Sequence, residues 1–164
     1  MDFTKNLEKN MECLHKKGAF LTTKAGDKTN TMTISWGSIG FVWGKPMFTV
    51  LIRNSRHTHG IIEKAKEFTV SVPVKDNLKK ELAVCGTKSG RDIDKFKECN
   101  LELQDGKDIS TPVIKGCGAH YECKVMYKHD MSPNLLDESL DKSCYGDKDY
   151  HTIYFGEIVN YYED

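Results

Sequence analysis

The stretch that decides the fold is Asn30-Thr31-Met32-Thr33-Ile34-Ser35-Trp36, followed by Met47-Phe48-Thr49-Val50-Leu51-Ile52 and Phe68-Thr69-Val70-Ser71-Val72. The first segment alternates polar and apolar side chains, which is typical of a strand with one buried face. The second is a nearly continuous apolar run of strand length. The third again combines β-branched and aromatic residues with hydroxyls. Together they predict a sheet protein built around this region.

A basic turn follows the second strand, with the sequence Arg53-Asn54-Ser55-Arg56-His57-Thr58. The short helical pattern of Ile61, Ile62 and Ala65 comes directly after it, so the turn meets the N-terminus of a helix. Free backbone N–H groups and the positive end of the helix dipole favour an anion there, most naturally a phosphate. A solvated strand–helix turn is the alternative, because basic turns are common on protein surfaces.

Taken in order, these segments resemble the flavin reductase-like members of the FMN-binding split-barrel family, especially its flavoredoxin-like branch. Two further runs match at the family's spacing: Gly86-Thr87-Lys88-Ser89-Gly90-Arg91-Asp92-Ile93-Asp94-Lys95-Phe96 and Tyr150-His151-Thr152-Ile153-Tyr154-Phe155-Gly156. The resemblance covers nearly the whole chain and is weakest from Tyr127 to Asp149. It implies a mainly β (α+β) fold, a split β-barrel with a few short covering helices, over a single domain of residues 1–164.

The resemblance also implies FMN as the cofactor, and it implies which segments of the chain contact the phosphate and which contact the ring. The turn and the Lys88-Ser89 pair would bind the phosphate, because arginine offers paired donors and hydroxyls complete the shell. The first strand would run along the edge of the isoalloxazine ring. The candidate cofactor contacts are Thr31, Met32, Thr33, Ile34, Ser35, Trp36, Arg53, Asn54, Ser55, Arg56, His57, Thr58, Cys85, Lys88 and Ser89.

Several of these assignments have a plain structural alternative. Strand alternation puts Thr33 and Ser35 on one face and Met32, Ile34 and Trp36 on the other, and either set could be core. Which of Arg53 and Arg56 faces the phosphate is not decided by the sequence. Cys85 could equally be a helix packing residue. Asp92 and Asp94 are expected to cap and position the loop at Lys88 rather than to contact flavin.

Hydride transfer to a flavin requires no side-chain nucleophile, because the protein stacks the donor against the ring and excludes water. His151 is the candidate catalytic residue, as a titratable side chain beside the ring, with an ordinary strand histidine as the alternative. The sequence thus favours an NAD(P)H-dependent flavin reductase, with NADH or NADPH as a transient donor. The alternatives are a flavoredoxin-like electron carrier reduced by a redox protein partner, and a flavin-binding module without redox activity.

Composition excludes several other classes. Lys plus Arg and Asp plus Glu both number 24 in 164 residues, so no global basic field is present to hold nucleic acid. No apolar run approaches the roughly 20 residues needed to span a bilayer, and the N-terminus lacks the plan of a signal peptide. We therefore expect a cytoplasmic protein with reduced cysteines. Cys117, His120 and Cys123 do not share one strand face, so no metal site is predicted.

Two remaining segments bear on assembly and access to the cofactor. The run from Ser38 to Trp43 is expected to be a bend or loop whose apolar side chains, Ile39, Phe41, Val42 and Trp43, form a surface for a homodimer. The polar run from Met131 to Gly146 is expected to be a mobile loop that could act as a lid.

Overall fold

The computed structural model describes residues 1–75 and 77–164. Its strands are β1 (Ala19–Ala25), β2 (Lys28–Ile34), β3 (Gly37–Val42), β4 (Lys45–Arg53), β5 (Glu67–Pro73), β6 (Leu103–Gln104), β7 (Val113–Ile114), β8 (Gly118–Asp130) and β9 (His151–Tyr162). Its helices are α1 (Leu7–Lys16), α2 (His57–Ala65), α3 (Lys79–Thr87), α4 (Lys95–Glu98) and α5 (Glu138–Cys144), with a 3₁₀ turn at Pro133–Leu135. No helix in these ranges is long and apolar enough to cross a membrane.

The larger sheet in the described ranges has seven strands in the order β2-β1-β5-β8-β9-β4-β3, each antiparallel to its neighbours. This sheet is not closed, so β2 and β3 are its edges. Alternating side chains of the strands build the core, in which the rings of Phe48 and Tyr121 meet edge to face at 5.2 Å. Helix α1 packs on this core and Asn10 donates from Nδ2 to the Tyr121 hydroxyl at 2.8 Å. The mainly β prediction is confirmed.

The segment from Ser38 to Val42 lies in strand β3 and Trp43 begins the turn after it, so the predicted bend or loop there is wrong. Strand β3 pairs with β4 in a hairpin, with Ile39 opposite Phe48. The chain turns at Trp43 and Gly44, which both have positive φ, of 55° and 70°. Two such residues form the tight turn that matches the twist of a hairpin. Of the apolar side chains expected at the surface, Phe41 and Trp43 are 68% and 62% exposed, whereas Val42 is half-buried and Ile39 packs against the core.

The segment from Met131 to Gly146 contains the 3₁₀ turn and α5, so the prediction of a loop throughout is wrong there as well. Asp137 caps α5 by accepting a hydrogen bond from the Ser139 backbone N–H at 2.9 Å. The sequence also predicts a helix that Asp76 caps and Gly86 ends, whereas α3 continues through Gly86. It predicts a second helix from Asp92 to Cys99, which is reduced to α4, with Asp94 accepting from the backbone N–H groups of Phe96 and Lys97. The capping role expected for Asp76 lies outside the described residues.

Candidate functional site

Two adjoining depressions lie where β2, the end of β4, the start of α2 and the α3–α4 connection meet. The larger, which we call the polar cleft, has a volume of about 460 Å³. It is lined by Asn30, Met32, Arg53, Ser55, Arg56, His57, Thr58, Thr87, Lys88, Ser89, Gly90, Arg91, Lys95, Asp147 and Asp149. The smaller, the side groove, has about 180 Å³ and is lined by Met32, Thr33, Ile34, Ser35, Trp36, Leu51, Arg53, Arg56 and His151. Because Met32, Arg53 and Arg56 line both, the two form one continuous depression.

The start of α2 faces the polar cleft. Its N-cap residue Arg56 is extended, and among the described residues no side chain caps the helix and no acidic residue occupies its first turn. Thr58 is buried, and its hydroxyl accepts a hydrogen bond from Asn30 Nδ2 at 2.8 Å. The first backbone N–H groups of a helix and its dipole attract anions, so this end of the cleft is suited to a negatively charged group.

The turn from Lys88 to Arg91 forms the opposite wall and fits closely against β2. A Cβ atom at Gly90 would lie 2.1 Å from Asn30 Oδ1 and 3.1 Å from His57 Cδ2, so glycine is needed at this position. Arg91 donates from Nη1 to the Ser55 carbonyl oxygen at 3.2 Å and from its backbone N–H to Ser89 Oγ at 3.1 Å. The two predicted phosphate motifs are therefore brought to one cleft by direct contact.

The two arginines of the basic turn have different partners. Arg53 donates to the carbonyl oxygens of Asp149 at 2.6 Å and Cys144 at 2.9 Å, and pairs with the Asp147 carboxylate at 3.2 Å. Its guanidinium carbon also lies 5.2 Å from the centre of the Tyr145 ring. Arg56 donates to the Gly86 carbonyl oxygen at 2.7 Å. Both line the cleft, but Arg53 is held by the segment that precedes β9.

The other polar residues of the basic turn also differ in whether they already have a partner within the protein. Ser55 donates from Oγ to the Asp149 carboxylate at 2.6 Å. Asn54 does not line the described cleft or groove, and its side-chain oxygen accepts from Thr152 Oγ1 at 2.9 Å. Burial and the nearby Arg91 charge lower the pKa of His57, so its imidazole is neutral near pH 7. Ser55 and Asn54 thus already have protein partners.

The charge of the polar cleft is strongly positive. Among its described lining residues are five cationic side chains, of Arg53, Arg56, Lys88, Arg91 and Lys95. The lining includes two carboxylates, of Asp147 and Asp149. A concave surface with this excess concentrates anionic ligands, although the chain as a whole has no net charge.

The side groove runs along the free edge of β2. Met32 and Ile34 belong to the core, whereas Thr33 donates from Oγ1 to the Leu82 carbonyl oxygen at 2.6 Å. Ser35 is exposed, and Trp36 is 44% exposed with its ring 5.5 Å from that of His151. Because β2 pairs only with β1 in the described sheet, its outward backbone groups can meet other partners, and the Thr31 carbonyl oxygen already accepts from Lys95 at 2.9 Å.

His151 lies beside Arg53 in the β4–β9 ladder and is 7% exposed. Its Nδ1 is 2.7 Å from the Tyr145 hydroxyl. Burial and the positive charge of Arg53 lower the pKa of His151 to about 4, so the ring is neutral near pH 7. Cys85, by contrast, does not line the described cleft or groove. It is fully buried beside Phe20 and Leu82, and burial raises the pKa of its thiol to about 12.

The structure also brings in residues that the sequence did not single out, namely Asn30, Gly90, Arg91, Lys95 and Tyr145. Gly90, Arg91 and Lys95 belong to the matched run that starts at Gly86, so that run could have suggested them. Tyr145 lies in the segment where the resemblance is weakest, so no matched motif could have suggested it.

The chain is similar in sequence and in structure to known proteins. Residues 11–164 match the family model described as the flavin reductase like domain. An uncharacterized protein of Archaeoglobus fulgidus is 30% identical over 150 residues, which are 92% of this chain and 74% of the relative. Flavoredoxin from Methanosarcina acetivorans is 25% identical with a TM-score of 0.70, over 90% of this chain and 68% of that one.

An FMN-binding protein from Thermus thermophilus is also similar in structure. It is 23% identical with a TM-score of 0.68, over 90% of this chain and 71% of that one. These similarities confirm the predicted split-barrel fold, with the sheet left open between β2 and β3.

Proposed function

Since the chain belongs to the flavin reductase-like domain family, we propose that it binds FMN in the polar cleft and side groove and transfers hydride to it from NADH or NADPH. The observation that carries the proposal is the continuity of a cationic cleft at a helix N-terminus with a groove along an edge strand. A phosphate and a flat ring joined by a short chain require such a pair of sites. The 25% identical relative is itself a flavoredoxin.

The polar cleft has the donors that a phosphate dianion requires. Arg56, Lys88 and Arg91 line it, and the uncapped start of α2 supplies backbone N–H groups. Ser89 and Thr58 add hydroxyls. The proposal gives Arg56 the role of paired donor to the phosphate, since Arg53 is engaged by Cys144, Asp147 and Asp149.

The side groove has the features that a ring edge requires. The outward backbone groups of β2 can meet the polar edge of the ring, and Met32 and Ile34 give an apolar floor. A bound FMN supplies the chemistry, by accepting the hydride. The task of this chain is to orient the ring, exclude water from one face and leave the other open to nicotinamide.

His151 and Tyr145 would act together at the groove. The Tyr145 hydroxyl has two acceptors in reach, His151 Nδ1 at 2.7 Å and Met131 Sδ at 3.3 Å. Because a thioether accepts weakly, the proposal has the O–H donate to Nδ1, with the proton of the neutral imidazole on Nε2. In the proposal, this N–H is a donor that stabilises negative charge developing on the reduced ring.

A flavoredoxin-like electron carrier, reduced by a protein partner, is the second candidate function. The segment before β9 favours it, because it is helical and is joined to Arg53 and His151 rather than forming the expected loop. A fixed cover suits a carrier that exposes only one edge of its flavin, whereas the open side groove suits a reductase.

Rapid mixing without oxygen separates the two functions. The FMN-loaded protein is mixed with NADH or NADPH while the flavin absorbance is followed. The reductase predicts bleaching within seconds by at least one nucleotide. No bleaching over many minutes, with dithionite still reducing the flavin, contradicts the reductase and supports the carrier.

The proposal includes a homodimer and a cytoplasmic, single-domain protein. The exposed aromatic side chains of Trp43 and Tyr127 support the dimer, because contiguous apolar surface is uncommon on a monomer. Phe41 supports it separately, since it is exposed although its ring contacts that of Phe3. The rings of Trp43 and Tyr127 also contact each other, 6.1 Å apart, on one face of the sheet.

A further inference from the structure

Lys95 is the sole lysine classed as buried in the described chain, with 3% of its surface exposed. Its ammonium donates to the carbonyl oxygen of Thr31 in β2 at 2.9 Å and to that of Cys85 in α3 at 2.8 Å. An ammonium has three N–H donors, so one remains beyond these two bonds. Because Lys95 also lines the polar cleft, this donor is available to a ligand there.

The charge of Lys95 has no carboxylate partner among the described residues. No Asp or Glu oxygen in the described ranges lies within the 4.0 Å of an ion pair, and the neighbouring Asp94 caps α4 and pairs with Lys97. Burial and the like charge of Arg56 lower the pKa of Lys95. A buried cation without a counter-ion is costly, and an anion that enters the cleft relieves that cost.

Three of the other four cations of the cleft, all except Arg56, are placed less favourably. Arg53 is already paired with Asp147. The Lys88 side chain is 52% exposed and lies 3.7 Å from the Glu98 carboxylate. Arg91 is exposed to solvent. Charge interactions weaken in water, so a buried ammonium contributes more to binding an anion than an exposed one.

We propose that Lys95 is the buried counter-charge of the phosphate monoester in the polar cleft and determines the preference for FMN over riboflavin. This inference rests on the proposed function. It names a specificity-determining residue that binds the phosphate from the floor of the cleft, behind the turn at Lys88 and the start of α2.

The test compares Lys95→Met with Lys97→Met, a matched change on the same short helix whose side chain is 87% exposed. Dissociation constants for FMN and riboflavin are measured for both variants and the unchanged protein. Loss of one charge-assisted hydrogen bond corresponds to roughly 10- to 150-fold. Lys95→Met is expected to lose that factor for FMN and to bind riboflavin as before, while Lys97→Met changes neither.

An equal loss of affinity for both flavins in Lys95→Met would overturn the proposal, because Lys95 would then only join β2 to α3. An FMN preference retained in that variant would overturn it as well. If the unchanged protein shows no preference for FMN, the proposed phosphate site itself fails, which is a different result.

If Lys95→Met does not fold, a second variant and a measurement on the unchanged protein still test the proposal. Lys95→Gln keeps N–H donors for the two carbonyls but removes the charge, so it should show the same selective loss. In the ¹⁵N-lysine-labelled protein, the slowly exchanging resonance of the buried ammonium should shift on adding FMN and not riboflavin. A resonance that FMN leaves unmoved would contradict the proposal.

Discussion

The two edges of the larger sheet are used in opposite ways. At β2 the outward backbone is met by polar groups: Lys95 donates to the Thr31 carbonyl oxygen, and the turn at Gly90 packs on Asn30. At β3 the edge carries exposed aromatic side chains, Phe41 and Trp43. An exposed strand edge tends to recruit partners. Our proposals accordingly place a small anionic ligand at one edge and a second copy of the chain at the other.

The largest effect is expected from Gly90→Ala, which breaks the β2 edge. A Cβ atom 2.1 Å from Asn30 Oδ1 must either displace the Asn30 side chain from its hydrogen bond to Thr58 or move the turn away from β2, and both changes disturb the walls of the cleft. We expect FMN affinity to fall at least 100-fold and the free energy of unfolding to fall by about 1–3 kcal/mol. Fluorescence titration and urea unfolding measure the two quantities.

Gly60→Ala is the matched control, because a Cβ atom at Gly60 in α2 meets nothing within 4 Å. It should leave FMN affinity unchanged and stabilise the helix by about 0.5–1 kcal/mol. If Gly90→Ala binds FMN as well as Gly60→Ala does, the turn is not part of the site.

The next effect separates the two arginines at the cleft. Arg56→Ala is expected to weaken FMN roughly 10- to 150-fold with little loss of stability, since its one described protein partner is the Gly86 carbonyl. Arg53→Ala is expected to destabilise the fold by about 1–3 kcal/mol, because it leaves the half-buried carbonyl oxygens of Cys144 and Asp149 unpaired. The reverse pattern, measured by the same titrations and unfolding curves, would make Arg53 the phosphate ligand.

The β3 edge is tested by the double change Phe41→Asp and Trp43→Asp. Both side chains are exposed in the single chain, so the fold should persist while the charges oppose pairing of two copies. Sedimentation at micromolar concentration should show a dimer for the unchanged protein and a monomer for the variant. A monomeric unchanged protein with FMN bound would contradict the assignment of this edge.

The smallest effect concerns His151, next to the β2 edge. Its pKa is lowered to about 4 in the folded protein, below the unfolded value of about 6.5. The unfolded chain therefore binds more protons between these values, and stability falls as the pH drops through this window. His151→Gln should show a weaker decline of the unfolding free energy from pH 7 to pH 5. Parallel pH curves for the two proteins would show that His151 is not held neutral.

Most of the fold was predictable because strands β2, β4, β8 and β9 have side chains that alternate or are continuously apolar. Strand β3 was not predicted because it is an edge strand in which no residue is buried, so no buried face marks it in the sequence. Helix α5 escaped prediction for a related reason, since among its described residues none is buried and no apolar stripe results.

The segments that line the cleft could be predicted from the sequence, but the hydrogen-bond partners of their side chains could not. The basic turn and the Lys88-Ser89 pair do line one cleft, yet the partners of Arg53 and Ser55 lie more than 90 residues further along the chain. Lys95 looks like an ordinary helix charge in the sequence. Its burial depends on the carbonyl groups of Thr31 and Cys85, which only the fold brings together.

Binding of FMN against riboflavin to the unchanged protein tests the central claim most directly. The account predicts that FMN binds at least 100-fold more tightly, since two or more charge-assisted bonds to the phosphate contribute roughly 1.5–3 kcal/mol each. Equal affinities for the two flavins would contradict the account, because the cationic cleft would then not be the phosphate site.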